Sequence, residues 1–252
     1  MTVDDAADIP ENWPTIMRHI MLSIFRTMIE DGDIQVDDRA AADIIDDFRS
    51  KAAHAGVEDD PESGGYEWYP QFDYRQTLLK KAGEEAECGN DLIALMHYST
   101  WFEHFVNGML THAFTRKRTP EAQAKALLRE LRIPTKATAL WQLLELPEIS
   151  REDLTTIEQI AAVRNGFVHY KWNAVSETEA TRVKESNAAL ATKASDVVDR
   201  LLSLESSTHW GDREDELVRA FNTDLDERGF DRFAMDLLPR LKSGMPPDRL
   251  LT

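Results

Sequence analysis

The spacing of apolar residues along the chain is the feature that most limits its fold. In residues 90–115 they recur every three or four positions and lie within about 40° of one line on a helix. This stripe consists of Leu95, Ser99, Phe102, Val106, Met109 and Ala113. Similar spacing recurs in other segments, and the alternation typical of strands is nearly absent. The sequence therefore predicts an all-α fold, built as a helical bundle.

Capping and stop signals divide this pattern into separate helices. Asp37 or Asp38 is expected to cap the second helix, and Ile133–Pro134 is expected to end the fifth. The helix that begins at Ser150 should end at Arg164, because both residues of Asn165–Gly166 tolerate positive φ. The predicted helices cover about residues 13–28, 37–55, 76–87, 90–115, 120–132, 135–146, 150–164, 176–206, 213–228 and 231–242.

Charge and composition suggest three segments. The 252 residues carry a net charge of −17, which argues against a general nucleic-acid binder. Residues 1–70 account for −12 of this charge, whereas residues 91–172 have a net charge of +1. Residues 57–74, rich in Pro, Gly and aromatic side chains, are expected to form a packed loop. We therefore predict an acidic N-terminal helical extension and loop over 1–70, a helical core over 71–206 and a C-terminal helical extension over 207–252.

Other features concern location and cofactors. Cys88 is the single cysteine, which fits a reducing compartment, and neither a signal peptide nor a membrane-spanning segment is evident, so a cytoplasmic protein is expected. His97, His104 and His112 are about 10 and 12 Å apart along a helix, too far to share one ion. The chain contains none of the familiar nucleotide-binding, hydrolase or zinc-protease motifs. No metal or cofactor is expected.

The residues that could carry chemistry lie between Arg164 and His169. Arginine offers a fixed fork of donors for phosphate oxygens, and histidine exchanges protons near neutral pH. On a continuous helix the two side chains would point about 140° apart. A break at Asn165–Gly166 would allow them to converge on one phosphate.

Arg164 and His169, with Asn165 after the arginine and an apolar residue before the histidine, resemble the signature motif of the HEPN superfamily. In that motif four to six residues separate an arginine from a histidine. The upstream helix around Tyr98–Leu110 resembles the first core helix of the superfamily, in which Glu103 would be the acidic residue. The resemblance covers about residues 90–206 and implies a HEPN-like bundle with additional N- and C-terminal helices.

The resemblance implies a metal-independent endoribonuclease, of the kind found among toxins and antiviral-defence effectors, or a catalytically silent relative. In active members two protomers form a composite site, and the ribose 2′-OH attacks the adjacent phosphorus. His169 would be the general acid or base and Arg164 would stabilise phosphoryl charge, supported by Asn165, Glu103 and Tyr170. Some toxins of the superfamily have a tyrosine two places after the histidine, where this chain has Lys171.

The implied partners are an RNA substrate, a second copy of the chain, and an antitoxin or defence-system protein. The candidate RNA contacts are Arg116, Lys117, Arg118 and Lys171. The basic group also includes Lys125, Arg129, Arg132 and Lys136, and its alternative reading is a solvated helix face.

Each candidate site residue also has a possible structural role. Arg164 can cap helix carbonyls, His169 can be a packed core histidine, and Glu103 can lie on an exposed flank. Asn107, next to the apolar stripe, can be a solvated helix residue. The alternative function is a non-catalytic HEPN-like scaffold that binds or senses a partner.

Overall fold

A computed structural model describes residues 13–54, 74–169 and 176–229 of the chain. All regular elements in these ranges are helical, which confirms the all-α prediction. The predicted loop at 57–74, except Tyr74, and the predicted helix at 231–242 lie outside the described residues. The helices are α1 (Trp13–Glu30), α2 (Ala41–His54), α3 (Arg75–Glu87), α4 (Asp91–Arg116), α5 (Glu121–Glu130), α6 (Ile133–Thr135), a π-helix (Lys136–Leu140), α7 (Trp141–Leu143), α8 (Arg151–Val168), α9 (Glu177–Trp210) and α10 (Glu214–Arg228).

The chain divides into two compact units, and the two terminal segments belong to the same one. One unit contains residues 1–69 and 209–252, and the other contains residues 70–208. Helices from both predicted extensions contribute to one hydrophobic core. Local periodicity does not record which distant helices pack together.

The terminal unit is built on an aromatic core from α1, α2 and α10. Phe25 of α1 stacks on Phe221 of α10 at 4.9 Å and meets Phe48 of α2 edge-on at 5.2 Å. Beside these rings, Arg49 donates from Nε to Asp224 at 2.6 Å. Buried aromatic pairs of this kind contribute about 1 kcal/mol each beyond the area they bury.

The central unit is organised around α4. All six residues of the predicted stripe are buried, and α3 and α8 both pack against this helix. Ion pairs attach α9 to its neighbours: Arg75 of α3 lies 2.7 Å from Glu205, and Arg200 donates from Nε to Asp153 of α8 at 3.1 Å. The central position of α4 follows from its apolar stripe, since a helix with buried residues along its length must be covered by others.

Three of the differences between the predicted and the observed helix boundaries have a visible cause or bear on the candidate site. Helix α2 begins at Ala41, because the carboxylate of Asp37 instead accepts hydrogen bonds from the backbone and guanidinium of Arg39. Pro134 lies in the first turn of α6, where a missing N–H does no harm, so it starts that helix and does not end α5. The third difference, at the end of α8, affects the candidate site.

Candidate functional site

Helix α8 begins as predicted and continues further than predicted. The hydroxyl of Ser150 accepts a hydrogen bond from the backbone N–H of Asp153 at 3.1 Å, as in a capping box. The carboxylate of Asp153, however, binds Arg200. The helix then runs through Val168, with His169 as its C-cap.

The predicted break at Asn165–Gly166 is wrong. The backbone N–H of His169 donates to the carbonyl of Asn165 at 3.1 Å, an ordinary helical bond that spans Gly166. Gly166 is not among the glycines with positive φ in the described residues. Glycine permits a left-handed conformation without requiring it, and here the helical hydrogen bonds continue past it.

The continuous helix separates Arg164 from His169. Five residues of α-helix turn the chain by about 140° and advance it by about 7.5 Å. Arg164 follows Ile157 and Ile160 on the inner face of α8 and is half-buried, whereas His169 is exposed. The two side chains of one protomer therefore do not converge on one phosphate.

Neither side chain is held by another of the described side chains. Among the described residues, no side-chain hydrogen bond or ion pair involves Arg164 or His169. Val168 between them is 55% exposed, which is high for a large aliphatic residue. Asn165 is also exposed, while Tyr170 and Lys171 lie outside the described residues. The end of α8 thus presents an arginine, an aliphatic side chain and a histidine to the surroundings.

Lys136 is the neighbour of both Asn107, which could have been a solvated residue, and Glu103, which the resemblance places beside Arg164 or His169. Glu103 and Asn107 lie one turn apart on α4, and the ammonium of Lys136 donates to Oδ1 of Asn107 at 2.8 Å. Glu103 makes no hydrogen bond or ion pair with Arg164 or His169 among the described side chains. Its carboxylate instead acts electrostatically on Lys136, where it raises the pKa and partly opposes the effect of burial.

The position of Lys136 differs from the one that the sequence predicts. Its place in the basic group suggests a solvated helix face, but the residue is only 3% exposed. Burial disfavours its ammonium form and lowers the pKa of Lys136 from its ordinary value of 10.5. Lys136 lies five residues before the buried Trp141. Residues at this spacing share a face in a π-helix but not in an α-helix, so an α-helical reading of the sequence places Lys136 at the surface.

Two of the remaining basic residues are in ion pairs, and the arginines of the group are exposed. Lys117 pairs with Glu145 at 2.8 Å, and Lys125 pairs with Glu121. Arg116, Arg118, Arg129 and Arg132 are exposed, and Arg118 adopts a positive φ of 51° just after α4. Arg118, Arg129 and Arg132 therefore offer the more accessible donors for phosphate oxygens.

Within the described ranges, no group of three or more His, Cys, Asp or Glu side chains could hold a metal ion. None of the described helices is long and apolar enough to cross a lipid bilayer. In the comparisons with known proteins, no family model, curated protein or solved structure matches the chain.

Proposed function

We propose that the chain is a metal-independent endoribonuclease of HEPN type that acts as a homodimer. The observation that carries this proposal concerns Arg164 and His169 at the end of α8. Neither side chain makes a hydrogen bond or an ion pair with another described side chain. Since no other described side chain holds either residue, both can contact the phosphate of a substrate. The proposed setting is a toxin or antiviral-defence effector with a partner protein that controls it.

The proposed reaction needs only these two kinds of side chain. The ribose 2′-oxygen forms a bond to the adjacent phosphorus as its proton passes to a histidine. The bond from phosphorus to the 5′-oxygen then breaks, and that oxygen takes up a proton, which leaves a cyclic phosphate and a free 5′-hydroxyl. His169 serves the proton transfers, and the guanidinium of Arg164 stabilises negative charge on the phosphoryl oxygens.

In the proposed site, Arg164 and His169 come from different protomers. Since Arg164 and His169 of one chain point about 140° apart, one phosphate cannot contact both. In a two-fold dimer each surface faces its own copy, so Arg164 of one protomer can meet His169 of the other at two equivalent sites. A monomer would then be inactive.

Mixing two inactive variants tests this arrangement. Arg164→Ala and His169→Ala should each abolish cleavage alone, because every site loses one of its two groups. Co-expression should restore one intact site in each heterodimer, which gives about a quarter of the parent rate after random pairing. The measurement is the formation of RNA ends with cyclic phosphate, and Arg151→Ala, an exposed arginine at the other end of α8, is the matched control.

Two results would count against the proposal. If either single variant cuts RNA as fast as the parent, the catalytic assignment is wrong. If both are inactive and the mixture stays inactive, the residues do not act across the dimer.

A second candidate function is a non-catalytic HEPN-like scaffold that binds a partner protein. The observation in its favour is that Asn107 is bound to Lys136 while α8 keeps Arg164 and His169 apart. This candidate predicts no cleavage of RNA at any concentration of the dimer, together with a stable complex with another protein. The parent chain is assayed for both in parallel.

A further inference from the structure

The segment Ile133–Leu143 contains a buried charge and an uncommon helix type at the same place. Its first turn is α6, its middle is the π-helix Lys136–Leu140 and its last turn is α7. Lys136 opens the π-helix and is almost completely buried. Short π-helices inside longer helices are rare, and they are found frequently at functional sites.

Both features are unfavourable alone, so something must stabilise them. Removing an ammonium from water is costly unless the charge is hydrogen-bonded or paired. Here the stabilising contacts come from α4: the 2.8 Å bond to Oδ1 of Asn107 and the nearby carboxylate of Glu103. Among the described residues, Asn107 is the single hydrogen-bond partner of the Lys136 ammonium.

The π-helix is what turns Lys136 inward. Residues five apart share a face in a π-helix, and Lys136 and Trp141 are both buried. In an α-helix of the same segment, Lys136 would point about 140° away from Trp141, whereas Ala137, which is already buried, would stay on the inner face. The α register therefore keeps the apolar residue inside and returns the ammonium to water.

The C-terminal end of the segment is anchored. The indole N–H of Trp141 donates to the carbonyl of Pro147 at 2.6 Å, and its ring stacks with Phe105 of α4 at 6.4 Å. A change of register would therefore move the residues before Leu140 and leave Trp141 where it is.

We propose that Ile133–Leu143 is a two-state element in which the Lys136–Asn107 bond holds the π register with Lys136 buried. Loss of that bond releases the segment to the α register, with Lys136 at the surface. A ligand or partner that engages Asn107 would have the same effect as its removal. The element is thus a conformational switch built into the central unit, and it does not depend on RNA cleavage.

Reactivity of the lysine amines tests this proposal directly. The folded chain is treated briefly with an amine-acylating reagent, and the modification of Lys136 is compared by mass spectrometry with that of exposed Lys125. In the parent protein Lys136 should be protected. In Asn107→Ala it should react about tenfold faster or more, because a hydrogen bond to a charged group is lost.

Hydrogen exchange distinguishes a register change from unfolding. In Asn107→Ala, faster exchange should be confined to residues 133–140, with α4 unchanged. Thr115→Ala, two turns further along α4 at an exposed position, is the matched control and should behave as the parent. The proposal is overturned if Lys136 stays protected in Asn107→Ala, if it reacts as fast as Lys125 in the parent, or if α4 loses its protection together with the segment.

Discussion

At the scale of single residues, Lys136 is the charge whose environment is most unusual. Its ammonium is buried against α4 and donates to Asn107, while the half-buried carboxylate of Glu103 gives partial compensation. Replacing a buried charge by an apolar side chain of similar volume is often stabilising, since the cost of removing the charge from water disappears. Replacing Lys136 therefore tests whether its buried charge lowers the free energy of unfolding.

We predict that Lys136→Met raises the free energy of unfolding by about 1 kcal/mol at neutral pH. Burial lowers the pKa of Lys136 in the folded protein, so between that value and 10.5 the unfolded chain binds more protons and wild-type stability rises with pH. The advantage of the variant should therefore shrink as the pH approaches 10.5. Urea denaturation between neutral pH and pH 10.5 measures the difference in unfolding free energy between the variant and the wild type. Lys125→Met, at an exposed position, is the control. An advantage that grows with pH would contradict the burial of a charged amine.

At the scale of secondary-structure elements, the end of α8 decides how the candidate site can work. Ser150 caps the start of the helix as its sequence indicates, but Asn165–Gly166 does not stop it. Stop signals describe what a residue tolerates, and the hydrogen bond from His169 to Asn165 shows that the helical conformation is adopted. As a result, Arg164 and His169 of one chain do not converge, and the proposed site takes one of them from each protomer.

We predict that Gly166→Ala stabilises the protein by about 0.5 to 1 kcal/mol, because alanine loses less backbone entropy than glycine in a helix. The added Cβ would meet no atom within 4 Å. Gly89→Ala is the matched control: it has similar space but a φ of +74°, and it should destabilise by about 1 kcal/mol. Both are measured by urea denaturation. A destabilising Gly166→Ala would indicate that the helix breaks there after all.

At the scale of the whole molecule, the described helices form two hydrophobic cores. The terminal unit buries Phe25, Phe48 and Phe221, and the central unit buries Phe105 and Trp141, together with the stripe of α4. Each core draws on helices distant in sequence. Within the terminal unit, α10 completes a core that α1 and α2 cannot close without it.

We predict that Phe221→Ala destabilises the terminal unit by about 3 to 5 kcal/mol, because truncating a buried ring leaves a cavity. Hydrogen exchange should then accelerate in α1 and α2 while α4 keeps its protection. Phe105→Ala should give the converse pattern in the central unit. Uniform loss of protection in either variant would show that the two cores unfold as one.

Part of the candidate site and most of the helices were predictable from local pattern. The stripe of α4 lies where its spacing indicates, because residues three and four apart share a helix face whatever surrounds them. The type and position of Arg164 and His169 are equally visible in the sequence, and their chemistry follows from their side chains. Both inferences depend only on neighbours within about one helical turn.

Three features depended on tertiary contacts. Lys136 is buried because Asn107 and Glu103 of α4 receive it, a pairing across 29 positions that no local pattern records. The terminal segments share a core because Phe25 meets Phe221. The continuation of α8 overrides the local preference of Asn165–Gly166. The sequence alone therefore determined that the chain is helical and which residues could act on a phosphate. Only the tertiary structure decided which of them face each other, since that depends on packing energies between helices far apart in the chain.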